Sequence, residues 1–182
     1  MSPLTRILAH AGSAPPSCGR VHVIGIDGRS GAGKTSLAHQ VADAWSAPVV
    51  SMDEIYPGWD GLAEATTLLL HEVLTPLSQG RTALVPTWDW SRGAPGPGRR
   101  LEVGGRLVVE GCGSTVGPAA ALIGTRVWLD GDESVRRERA LRRDGEVFAA
   151  HWDMWAEQES RVFGADRTRE RADLLLGSNL AG

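Results

Sequence analysis

The chain has 182 residues, 42% hydrophobic and 23% charged, which suits one soluble domain with a real core. Its formal net charge of −3 excludes the global basic field expected of a nucleic-acid binder. Its two cysteines, Cys18 and Cys112, lack the close spacing of a zinc site, nothing suggests a disulfide framework, and no apolar stretch reaches membrane-spanning length.

Residues 1–20 read as a short helix and a Pro/Gly/Ser linker rather than a secretion signal, so we expect a cytoplasmic protein. Apolar, β-rich runs then alternate with helical stretches, the pattern of an α/β fold with a parallel sheet. Residues 21–27 are the first strand. A helix follows over 34–45, with Leu37, Val41 and Trp45 at four-residue steps on one face. A short strand is expected at 48–52, a helix at 62–77 and an extended segment at 82–88. Residues 91–100, SRGAPGPGRR, have the composition of an irregular loop. Strands follow at 106–109 and 126–129. Asp132 can cap a helix running to about Arg143, a further helix covers 149–163, and residues 172–176 form a last strand.

The segment GRSGAGKT, residues 28–35, matches GxxxxGK[ST] in full through Gly28, Gly33, Lys34 and Thr35. Glycines let the backbone curl until successive N–H groups point at phosphate oxygens. The helix that follows adds its positive N-terminal end. Gly28, Ser30, Gly31, Ala32 and Gly33 would line the phosphates, with Lys34, Thr35 and Ser36. Lys34 should reach the β- and γ-phosphates, and the Thr35 hydroxyl should ligate magnesium.

Two acids stand where a doubly wound sheet opens its crevice, at the carboxyl ends of strands. Asp53 in SMDEIY is placed to take the proton of an attacking hydroxyl, with Glu54 as the fallback. A capping role for Asp53 is the competing reading. Glu110 ends the apolar run RLVVE and would hold magnesium through water or direct the acceptor. A carboxylate at the tip of a buried strand has to be satisfied by metal or hydrogen bonds. Cys112 is read as a small packed residue.

Arg136, Arg139 and Arg143 share a helical face and could gather over the phosphates of a closing lid. The alternative is a solvated helix with local pairs to Glu133 and Glu138. Trp59, Trp88 and Trp90 fall in segments near the crevice, with Asp89 between the last two. They suit an aromatic wall for a ring-bearing or sugar-like acceptor, and core packing competes with that reading. Trp45, Trp128, Trp152 and Trp155 read as core or helix-packing residues.

Together IGIDGRSGAGKTSLA, SMDEIY, PTWDW, LVVEG, VRRERALRRD and ADLLL resemble the uridine kinase and phosphoribulokinase group of P-loop kinases, in that family's order. The resemblance implies a P-loop NTPase fold over residues 21–182. It would be a doubly wound, parallel five-stranded sheet with helices on both faces, nucleoside-kinase-like with a short lid. It also implies ATP and magnesium as cofactors and Asp53 as base. Tyr56 would lie near the acceptor, and Trp88-Asp89 would stand where the family holds a nucleoside sugar. Arg136, Arg139 and Arg143 would be lid residues, with Gly177 and Ser178 near the adenine. The chain departs from the family in YPGW after the acid, a short 77–103 region and HWDMWAEQESRVF after the arginines. The expected activity is γ-phosphoryl transfer to a small-molecule hydroxyl, with a nucleoside-like acceptor, by a monomer or homodimer without nucleic-acid or membrane partners. The competing class is a nucleotide-binding regulatory ATPase.

Overall fold

The computed structural model describes residues 1–177; Ser178, expected near the nucleotide base, lies outside the described residues. The chain opens with α1 (Pro3–Ser13), β1 (His22–Asp27), α2 (Lys34–Trp45) and β2 (Val49–Ser51). Next comes α3 (Leu62–Leu68), which continues through a π-helical turn (Leu69–Leu74) into α4 (Thr75–Ser78). The short strands β3 (Ala83–Val85), β4 (Trp88–Asp89), β5 (Ala94–Pro95) and β6 (Arg99–Leu101) follow. The chain ends in β7 (Arg106–Glu110), β8 (Thr125–Asp130), α5 (Glu133–Ala149), α6 (Trp152–Asp166) and β9 (Leu174–Gly177).

The main sheet has five strands in the order β2–β7–β1–β8–β9, each neighbouring pair parallel. Both faces are covered, as the unbroken apolar strands require. Side chains alternate across the sheet. Ile24, Ile26, Val108, Val127 and Leu129 pack with Leu37, Ala38 and Val41 of α2 in one cluster. Val23, Val50, Leu107, Val109 and Trp128 pack with Leu62, Leu69, Trp155 and Phe163 in the other. Register brings Ile26 and Ser51 opposite Glu110, so the ends of β1, β2 and β7 meet at one edge.

Three elements add detail to the sequence reading, and one of them, residues 91–100, corrects it. The N-terminal helix packs on the sheet layer: Ile7 and Ala11 are buried in the α2 cluster, and His10 Nδ1 lies 3.0 Å from Thr125 Oγ1. Residues 91–100 are not irregular throughout, because β5 and β6 pair antiparallel with β4 and β3. The helix expected to run to about Arg143 does lose helical geometry there, at Gly145, whose φ of 64° and ψ of −151° no L residue adopts without strain. Phe148 then turns inward beyond the break, and α6 begins at Trp152.

Candidate active site

Gly33 caps α2 with a left-handed φ of 96°, so the helix starts at Lys34 with its N-terminus on the loop. Gly31 also needs its missing Cβ: one would sit 2.0 Å from the Arg136 carbonyl oxygen, where α5 closes on the loop. Lys34 Nζ donates to Arg29 O (3.1 Å) and contacts Cys112 Sγ (3.4 Å). Burial works to lower the Lys34 pKa, but Cys112, Glu159, Glu110 and Asp27 around it outweigh that, and the net shift is upward. The ammonium therefore stays charged where a phosphate would lie.

Glu110 is 2% exposed at the tip of β7. It accepts hydrogen bonds from Thr35 Oγ1 (3.2 Å) and from Ser51 Oγ. Burial raises its pKa, opposed by Ser51, Lys34 and Thr35. Hard oxygens from Thr35 and Glu110, completed by phosphate and water, are the donors magnesium prefers. Among the described residues no group of three His, Cys, Asp or Glu side chains forms an all-protein cage, and magnesium beside phosphates does not need one.

Asp53 lies in a single 3₁₀ turn (Met52–Glu54) directly after β2. Ser51 caps that turn, its Oγ accepting the Asp53 N–H at 3.3 Å. Asp53 is therefore not the cap, and its carboxylate has no hydrogen-bond partner among the described residues. Glu54 is engaged elsewhere, receiving Arg99 Nε and Nη2 at 2.9 Å each. Tyr56 packs edge-on against Trp155, ring centroids 4.8 Å apart, and its hydroxyl donates to Cys112 O at 2.9 Å.

One cavity of about 440 Å³ joins these groups. Ser30, Gly31, Lys34 and Thr35 line it on the loop side, together with Asp53 and Glu110. Tyr56, Trp59, Trp90, Phe148 and Trp155 form an aromatic wall, and Arg143 and Asp144 border it from α5. Trp90 Nε1 donates to Asp53 O at 3.2 Å.

Some expected residues stand apart from this cavity. Asp89 spends its carboxylate on its own turn, accepting Ser91 N (3.0 Å), Ser91 Oγ (2.7 Å) and Arg92 N (3.2 Å). Those bonds, Ser91's hydroxyl first, hold its carboxyl below the usual range. Trp88 and Asp89 do not line the cavity, and Trp90 does. Short acids favour such local turns over reaching a distant ligand. Arg136 is buried and bonds backbone, Nη1 to Ser30 O (2.9 Å) and Nε to Gly131 O (3.1 Å), rather than facing the cavity. Arg139 does not line the cavity either; Arg143 does, paired with Asp144 at 2.8 and 2.7 Å. Trp155, read as core, is both core and cavity wall.

No family model matches the sequence, and no curated protein does. Solved structures match over nearly the whole chain. A possible uridine kinase from Bacillus stearothermophilus is 18% identical with a TM-score of 0.64, over 95% of this chain and 94% of that one. A proposed fructose transport system kinase from Silicibacter sp. TM1040 is 18% identical with a TM-score of 0.58, over 94% and 96%. The YGR205w protein is 12% identical with a TM-score of 0.56, over 98% and 91%. At these identities the likeness is one of fold.

The chain has the P-loop NTPase fold.

Two acids of this P-loop site escaped the sequence reading. Asp27 ends β1 fully buried and accepts Gly28 N (2.8 Å), Gly113 N (3.0 Å), Thr115 N (2.9 Å) and Thr115 Oγ1 (2.9 Å). It ties the phosphate loop to the turn after β7. Burial pushes its pKa up to about 6, against those hydrogen bonds and Lys34. The signal was the one used for Glu110, an acid ending an apolar strand. Glu159 sits in the buried stripe Trp152, Trp155, Glu159, Phe163 of α6. An acid in an apolar helical stripe was visible in the sequence; its partner was not. No helix among the described residues is long and apolar enough to cross a membrane.

Proposed function

We propose that the chain is an ATP-dependent, magnesium-using kinase that moves the γ-phosphoryl group to a hydroxyl of a small molecule. One observation carries this reading: the phosphate loop and Asp53 line the same cavity, with room beyond them for an acceptor. A hydrolytic nucleotide switch has no need of that second half.

Asp53 takes the proton of the acceptor hydroxyl as its oxygen bonds to the γ-phosphorus. The bond from that phosphorus to the departing diphosphate breaks in the same step. Lys34 and the loop N–H groups hold the negative oxygens while charge redistributes. Arg143 stands at the rim, where breaking its pair with Asp144 would free a guanidinium for the phosphoryl group. Magnesium would be held through Thr35 and Glu110 and would supply positive charge beside the phosphates.

The aromatic wall suits a flat acceptor of nucleoside size, and we favour that class. Uridine and fructose appear in the descriptions of similarly folded proteins, so both belong among the acceptors to test. The deciding assay follows ADP release and phosphorylated product with ATP alone and with nucleosides, sugars and amino alcohols. A kinase shows an acceptor that gains phosphate. Equal ADP release with and without every acceptor, and no phosphorylated product, would replace this reading with that of a regulatory ATPase.

A further inference from the structure

Ser30 is gripped at both ends by buried charged side chains from the two helices that close over the loop. Glu159 of α6, 1% exposed, accepts the Ser30 N–H through Oε1 at 2.7 Å. Arg136 of α5, 6% exposed, donates from Nη1 to Ser30 O at 2.9 Å. A peptide unit is planar and trans, so fixing one end of it fixes the other.

The unit between Arg29 and Ser30 has its N–H on Glu159 and its carbonyl on Lys34 Nζ, 3.1 Å away. The next unit has its carbonyl on Arg136, which turns the Gly31 N–H the opposite way. Gly31 lines the cavity beside Lys34.

We propose that Glu159 is a positioning residue for nucleotide binding. Through one peptide plane it sets the carbonyl that holds Lys34, and with Arg136 it sets the face the loop presents to phosphate. This rests on the loop being the triphosphate site of the proposed kinase.

Glu159 Oε1 also accepts from Trp155 Nε1 (3.1 Å) and Cys112 Sγ (3.3 Å), while Oε2 lies 3.8 Å from Arg29 Nη1. The contact to Ser30 is short and buried, whereas that to Arg29 is long and partly exposed. Reach of the acceptor oxygen therefore matters more than charge. This separates two variants: Glu159→Gln keeps the reach and loses the charge, and Glu159→Asp keeps the charge and withdraws the oxygen by one methylene.

The test is equilibrium binding of ATP, and of inorganic tripolyphosphate, to the parent and both variants, with thermal melting to establish the folded fraction. Folded Glu159→Asp should bind both ligands about tenfold more weakly, and Glu159→Gln less than about threefold more weakly, as losing or keeping one hydrogen bond implies. A merely structural role would lower the melting temperature of either variant and leave binding by the folded fraction unchanged; that result overturns the proposal. So does the reverse order, in which Gln binds weakly and Asp normally. Should Glu159→Asp not fold, Glu159→Ala, which removes the acceptor oxygen altogether, is measured in its place: about tenfold weaker binding by its folded fraction supports the proposal, and unchanged binding overturns it, as does a tenfold loss in Glu159→Gln. A parent that binds neither ATP nor tripolyphosphate sinks the kinase reading and this proposal together, and is recognised without any variant.

Discussion

Arg99 grips Glu54 through two hydrogen bonds of 2.9 Å each, and so removes from the catalytic question the acid that follows Asp53. The pair links β6 to the turn after β2 and leaves the Asp53 carboxylate as the acid facing the cavity from that turn.

Asp53→Asn should therefore bind ATP with unchanged affinity and lose transfer by about a hundredfold or more, the usual worth of a positioned base. Glu54→Gln should retain most of its turnover and lose some stability instead. Single-turnover phosphoryl transfer and ATP titration on both variants check this. Undiminished transfer by the Asn variant would remove Asp53 as the base.

Glu110 meets Thr35 at 3.2 Å and is also held by Ser51. Glu110→Gln should keep the fold and raise the magnesium concentration for half-maximal activity about tenfold or more, as for groups that orient or hold a metal. A magnesium titration at saturating ATP measures it. An unchanged half-point would place the metal elsewhere.

Trp90 is 42% exposed, so its replacement should not disturb the core. Trp90→Ala should raise the acceptor KM about tenfold while leaving the ATP KM alone, in keeping with loss of an aromatic contact face. Trp90→Phe restores a ring but not the 3.2 Å bond to Asp53 O. That variant should recover acceptor KM and keep a lowered kcat. Equal shifts in both substrates' KM would contradict a wall that serves only the acceptor.

Burial pushes the Asp27 carboxyl up from an ordinary 3.8 to about 6 in the folded protein. Because the folded state holds this proton more tightly, the group's contribution to stability is full below about pH 4. It falls as pH rises to about 6 and is flat beyond. Roughly two pH units at about 1.4 kcal/mol each make a change of about 3 kcal/mol. Denaturant unfolding of the parent and Asp27→Asn should show the parent losing about that much relative to the variant between pH 4 and pH 7. A parent that gains relative to the variant with rising pH would refute this assignment.

The strand-loop-helix around Lys34 and the acids Asp53 and Glu110 were legible because their signals are local: an apolar run, glycines at fixed offsets, a carboxylate at a strand end. The grip on Ser30 was not, since Glu159 lies 129 residues and Arg136 106 residues away along the chain. For Arg136, helical spacing grouped it with Arg139 and Arg143 but could not show what it meets, which is a backbone carbonyl. For Asp89, proximity to indoles suggested a ligand, while its own turn offered nearer donors at Ser91 and Arg92. The segment 91–100 lacked a strand pattern because β5 and β6 are only two and three residues long, contain proline and arginine, and are separated by glycines.

The two apolar clusters divide the labour of the molecule. Ala32 and Leu37, behind the phosphate loop, belong to one, and Tyr56, Phe148 and Trp155, behind the aromatic wall, belong to the other. The two layers are joined at Trp155, whose indole N–H donates to Glu159 Oε1, the oxygen that also holds Ser30 N. In the kinase proposed above, wall residues without a contact to Glu159, Trp90 among them, can change with the acceptor over many generations while the loop keeps its shape.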